Sequence, residues 1–137
     1  MDKVSPETRS RNMRRIKSTG MRPEVFVRKL VYALGFRYRL HVTKLPGRPD
    51  LVFSSRKKII FVHGCFWHQH EDPQCRISHR PRSNLDYWAP KLTRTKTRDL
   101  NNLEKLSEMG WSSLVVWECQ LKDTAKLASV ITGFLKG

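Results

Sequence analysis

The chain has 137 residues, with Lys+Arg 27 against Asp+Glu 12 and a formal net charge of +15. That length suits one domain with its own core, and a 39% apolar share excludes global disorder. So basic a protein keeps company with a polyanion, nucleic acid ahead of an anionic membrane surface, although charge alone does not separate a nuclease from an architectural protein.

No run approaches the roughly 20 apolar residues of a membrane span. The opening MDKVSPETRS carries no apolar signal region. Three cysteines, an odd count, argue against a disulfide framework and for a reducing, cytoplasmic setting.

Residues 1–20 read as a basic arm and residues 21–137 as the domain. Ser5 and Pro6 can start a helix. Arg9, Arg11, Arg14, Arg15 and Lys17 then crowd around Met13 and Ile16. A solvated arm fits this pattern; so does a DNA-gripping arm whose Met13 reaches a base step, as apolar wedges do in minor-groove binding.

Pro23 in a first turn and Gly35 past a last apolar residue bound a helix with Val27, Leu30, Val31 and Leu34 on one stripe. Glu24 near its positive end is, by itself, a carboxylate favoured by the helix dipole. Phe36–Leu40 alternates and predicts a strand. Leu45–Pro49 is a stiff turn, Pro49–Phe53 a second strand and Ile59–Val62 a third. The tight turn between the last two implies an antiparallel hairpin, which brings Asp50 at one strand end to His63 at the other.

The following stretch, Phe61 to Cys75 (FVHGCFWHQHEDPQC), holds three of the five histidines and two of the three cysteines. Cys65, His70 and Cys75, joined by the distant Cys119, make a Cys₃His set of soft ligands suited to structural Zn²⁺. Phe66 and Trp67 are aromatics on a basic chain, suited to stacking on bases; core packing is the other use of such a pair.

After a basic loop from Arg76 to Ser83, Leu85–Met109 predicts a helix that Pro90 kinks or restarts, with Leu92, Leu100, Leu103 and Leu106 as its buried stripe. Lys91, Arg94, Lys96 and Arg98 suit phosphate contact and a solvated face equally. Trp111–Trp117 predicts a strand and Leu121–Leu135 a closing helix. Helices flanking a small mixed sheet give an α/β fold.

Pro49-Asp50 at one strand end, before a catalytic position on the next, resembles the PD-(D/E)xK nuclease superfamily. Phe61-Val62-His63 stands where that pattern has its second acid and lysine. This departure, with LPGRPD, HGCFWHQH, GWSSLVVWEC and SRNMRRIKS, resembles one branch, the very short patch repair endonucleases, from about Arg9 to Cys119.

The resemblance implies a restriction-endonuclease-like fold. It implies nicking 5′ of the thymine in a T·G mismatch left by deaminated 5-methylcytosine. Asp50 and the Val62 main-chain carbonyl would hold Mg²⁺. His63 and His68 would move protons in place of the missing lysine, which of them as base staying open, and Glu24 would be the active-site acid. Zn²⁺ would sit on Cys65, His70, Cys75 and Cys119. The longer segment between His70 and Cys75 leaves His79 or Asp72 as substitutes for Cys75. Phe66, Trp67 and Met13 would wedge into the duplex, with Arg14 and Arg15 on DNA.

The implied partners are T·G-containing duplex DNA, mismatch-repair accessory proteins and a repair polymerase, for a monomer in the bacterial cytoplasm at the nucleoid. A restriction-type nuclease cutting both strands, and a non-catalytic zinc-stabilised DNA-binding module, are the alternative readings.

Overall fold

The computed structural model describes residues 22–72, 74, 75 and 83–137. The arm with Met13, Arg14 and Arg15, and the loop residue His79, lie outside the described residues.

Helix α1 spans Pro23–Ala33. Proline suits its first position because that N–H would have no intrahelical partner. Gly35, at φ 97°, turns the chain out of the helix. The stripe expected from spacing is buried, with Phe26, Val27, Leu30 and Val31 fully covered.

Strands β1 (Leu51–Phe53) and β2 (Lys58–His63) form the antiparallel hairpin, with Leu51 opposite Ile60. A 3₁₀ turn at Ser54–Arg56 and Lys57 at φ 54° connect them. The strand expected at Phe36–Leu40 is reduced to one bridge, Arg39 to Val52. His41 takes φ 58°, which ends the extended run one residue past Leu40.

Helix α2 is a single turn, Cys65–His68, and α3 is long, Leu85–Glu108. Helix α3 carries the chain back so that β3 (Ser112–Trp117) pairs parallel with β2, as a parallel neighbour requires. The sheet order is β1-β2-β3. The closing helix α4 is Thr124–Lys136, later than the expected Leu121 start. A 3₁₀ segment, Glu118–Lys122, buries Leu121 first, and Asp123 then caps α4 by accepting from the Lys126 N–H.

Period-two alternation divides the core. Leu51, Phe53 and Ile60 pack with α1 and α4, while Val52, Ile59 and Phe61 pack with Leu106 of α3. By the same parity Asp50, His63 and Trp117 belong to the α3 side. Leu92 and Leu106 are buried as expected, but Leu100 is 62% exposed. At 100° per residue it lies about 80° around the helix from Leu92, off the stripe. Each fully buried large apolar side chain contributes about 1.5–3 kcal/mol relative to exposure. Among the described residues no helix is long and apolar enough to cross a membrane.

The LPGR segment is a type II-like turn. The Arg48 N–H donates to the Leu45 carbonyl at 3.2 Å, with Pro46 second and Gly47, at φ 78°, third. A Cβ on Gly47 would stand 3.0 Å from Asn102 Nδ2 and 3.1 Å from the Phe61 ring. Gly47→Ala should therefore cost about 1–2 kcal/mol through backbone strain and contact. The expected result is a Tm lower by roughly 3–8 °C in a thermal melt; an unchanged Tm refutes this reading of the turn.

Candidate active site and metal centre

The hairpin register delivers Asp50 to the end of β2. Its N–H donates to the Ile60 carbonyl at 3.1 Å, and its Oδ2 accepts from the Val62 N–H at 2.7 Å. Burial raises the Asp50 pKa, the Val62 hydrogen bond opposes this, and nearby Glu24 raises it further. The carboxylate is thus held in a setting that disfavours its own charge, with a second acid from α1 close by.

Gly64 leaves β2 extended and α2 turns once. Gln69, at φ 50°, ends that turn, so the chain folds back and the His70 N–H reaches the Cys65 carbonyl at 3.1 Å. The turn lays His68 flat on His63, ring centroids 3.8 Å apart and planes 6° apart. His63 is only 6% exposed, and among the described residues its buried Nδ1 has no hydrogen-bond partner. Burial first, and then the neighbouring His68, push its pKa down to about 4. His63 is therefore neutral near pH 7.

His68 Nδ1 lies 2.5 Å from Asp99 Oδ2 on α3. An ionised carboxylate can only accept, so His68 Nδ1 donates to Asp99 and Nε2 stays outside this hydrogen bond. Asp99 was absent from the residues expected from sequence. It lies 31 positions from its partner, inside a helix read as scaffold, and no local pattern marks it.

Asp50, His63, His68 and Asp99 line one open cleft of about 220 Å³, with Arg48 and Asn102 at its wall. His63, His68 and Asp99 also back onto a second cavity of about 400 Å³, lined by Leu100, Leu103, Val115 and Trp117. The group whose donor atoms lie close enough to share one cation is His63, His68 and Asp99. Asp50 shares the cleft with this group without being part of it.

A second set, Cys65, His70, Cys75 and Cys119, has all its donor atoms within 4.8 Å of one another. His70 Nδ1 is 3.9 Å from Cys65 Sγ and 3.5 Å from Cys119 Sγ. Tetrahedral Zn–S bonds of about 2.3 Å give sulfur–sulfur edges of about 3.8 Å, so the spacing fits a metal ion. Burial pushes the Cys65 thiol up to about 12 in the metal-free protein, a cost a bound cation would reverse. No disulfide joins the cysteines. Cys75 belongs to the cluster despite the longer segment before it. Trp117 ties the two centres together, stacking on His70 at 4.2 Å and meeting the His63 ring edge-on at 5.2 Å.

Phe66 and Trp67 leave the other side of α2. Each lies within 5.5 Å, centroid to centroid, of Trp88 at the start of α3. Trp67 is 51% exposed, whereas Phe66 and Trp88 are half-buried. Trp88 was not among the expected residues. Its signal was present, an aromatic pair Tyr87-Trp88 opening a basic helix, but nothing in the sequence joins it to α2.

The family model described as DNA mismatch endonuclease Vsr matches residues 1–74. The chain is 45% identical over 134 residues to the type II nicking enzyme V.XorIIP of Xanthomonas oryzae pv. oryzae, covering 98% of this chain and 96% of that one. It is 42% identical over 124 residues to the type II nicking enzyme V.NmeAIP of Neisseria meningitidis, covering 90% and 86%. It is 38% identical over 120 residues to DNA mismatch endonuclease Vsr of Escherichia coli, covering 88% and 75%.

A buried neutral His63 has a consequence for stability. The unfolded chain takes up its proton near pH 6.5 and the folded chain only near pH 4. Between those values the unfolded state binds more protons, so this group's stabilisation is present above pH 6.5 and is lost as pH falls toward 4. His63→Gln should flatten the rise of Tm between pH 4 and 6.5. Parallel Tm–pH curves for the two proteins would show that His63 is not buried neutral.

Proposed function

This chain belongs to the DNA mismatch endonuclease Vsr family, and from that premise we propose that it nicks the thymine strand of a T·G mismatch, 5′ of the thymine. The observation that carries the reading is the cleft that gathers Asp50, His63, His68 and Asp99, with Glu24 beside Asp50. A module that only binds DNA has no use for a desolvated carboxylate next to a carboxylate-paired imidazole. The mixed sheet with helices on both faces suits the restriction-endonuclease-like scaffold.

Asp50 and the main-chain carbonyl of Val62 are oxygen donors of the kind Mg²⁺ takes, and the acid surplus around Asp50 is the chemistry such an ion would relieve. When bound, that ion supplies an activated water and neutralises charge growing on the phosphate. The protein's own groups do the rest. Glu24 and Asp50 orient water at the cleft. His68 is the proton-moving histidine, because Asp99 holds its tautomer and leaves Nε2 free to exchange a proton with water or the leaving oxygen. His63, neutral near pH 7, cannot act there as an acid, and serves as the plate on which His68 is stacked.

Mismatch selectivity follows from wedging. Phe66, Trp67 and Trp88 form one aromatic platform on a chain of net charge +15. Prying a base step open costs a few kcal/mol, and less where pairing is already defective. Met13 of the arm would enter from the other side, with Arg14 and Arg15 on phosphates. Zn²⁺ on Cys65, His70, Cys75 and Cys119 would clamp the segment carrying His68 and Phe66 to the end of β3. The active form is a monomer on duplex DNA.

Duplexes that differ only in carrying T·G, T·A or C·G at one position, incubated with Mg²⁺, test this reading. The T strand of the T·G duplex alone should be nicked. Equal cutting of matched duplexes would instead mean a restriction-type enzyme, and tight binding without cutting a binding module. Asp50→Ala should abolish nicking while DNA affinity persists; measurable turnover by that variant removes Asp50 from the reaction.

The metal centre has its own test. Purified protein should carry about one zinc per chain, and Cys119→Ser should lose most of it and melt at least 5 °C lower. Zinc-free native protein with an unchanged Tm rules the clamp out.

A further inference from the structure

The cleft is an acidic spot on a cationic protein. Asp50 and Asp99 line it, and among its lining residues Arg48 is the one Lys or Arg. A phosphodiester entering there meets carboxylates, and beside any bound metal ion a permanent cation at the wall offsets the repulsion.

Arg48 is held at φ 50°, in the left-handed region, between Gly47 at φ 78° and the buried Pro49. An arginine gains nothing locally from that conformation, whereas glycine would adopt it without strain. Strain of this kind collects at functional sites. The backbone is fixed on both sides, by the Leu45–Arg48 turn and by the Asp50 contact with Val62. The Arg48 side chain is exposed, and among the described residues its guanidinium has no hydrogen-bond or ion-pair partner. It is a charged fork, two residues from Asp50, that the folded chain leaves uncommitted.

We propose that Arg48 is a catalytic residue whose guanidinium grips the non-bridging oxygens of the phosphodiester to be cut. The assignment rests on the nuclease reading above. A planar guanidinium matches two phosphate oxygens at once and stays charged at any working pH. Held in place beforehand, it stabilises charge as it grows on those oxygens.

Arg48→Gln, Arg48→Gly and Arg48→Lys test it, by single-turnover nicking of the T·G duplex and by DNA binding across a salt series. Arg48→Gln and Arg48→Gly should nick about 100-fold more slowly. Their slope of log affinity against log salt should be smaller by about one, the mark of one lost phosphate contact. Arg48→Lys should restore the slope but less than a tenth of the rate. Arg48→Gly should melt at or above the native temperature, because it relieves the strained φ.

Nicking within threefold of native by Arg48→Gln and Arg48→Gly, or an unchanged salt slope, overturns the proposal. A lower Tm for Arg48→Gly overturns it too, by making Arg48 a structural residue. Should the native protein nick no mismatched duplex, the nuclease reading falls, while the salt slope still reports whether Arg48 meets a phosphate.

Discussion

Strand β2 is paired differently on its two edges, and the site depends on that. The antiparallel ladder with β1 sets Asp50 against Val62, and the parallel ladder with β3 sets His63 beside Trp117. Because side chains alternate along a strand, a one-residue slip on either edge would send Asp50 or Trp117 to the opposite face. Ile60 between α1 and α4, and Ile59 and Phe61 against α3, hold the register by burial. The apolar core and the geometry of the cleft are thus set by the same alternation.

Charge is distributed against the trend of the whole chain. A net +15 draws in a polyanion from any side. The cleft then presents carboxylates, one of them desolvated, and an imidazole pair of which one ring is kept neutral by burial. A desolvated carboxylate beside a second acid is costly until a cation or a proton-transfer task uses it. Trp117 couples this cleft to the thiol centre by packing on a histidine from each. Distortion of the cysteine set would therefore reach the histidine stack through one ring.

Much of this was legible in residue types and spacing. The hairpin, its role in joining Asp50 to His63, and the Cys65, His70, Cys75, Cys119 set all follow from local patterns plus one distant cysteine. Three features were not legible. Asp99 and Trp88 sit on a helix whose pattern reports only which side is apolar, so their meeting with α2 is a matter of packing. The Phe36–Leu40 run has strand alternation, yet one left-handed residue, His41, limits it to a single bridge. Leu100 fits an apolar tally but not the angle of the buried stripe.

Sequence alone determined the main helices, the hairpin and which side chains could serve as soft ligands, because turn residues, two-residue alternation and soft-ligand sets act within a few positions or by identity. Tertiary structure decided which imidazole is buried and neutral, which one a carboxylate orients, and which aromatics share a platform. Those outcomes depend on desolvation and on contacts between α2, α3 and β3, and neither quantity exists until the helices close over the sheet.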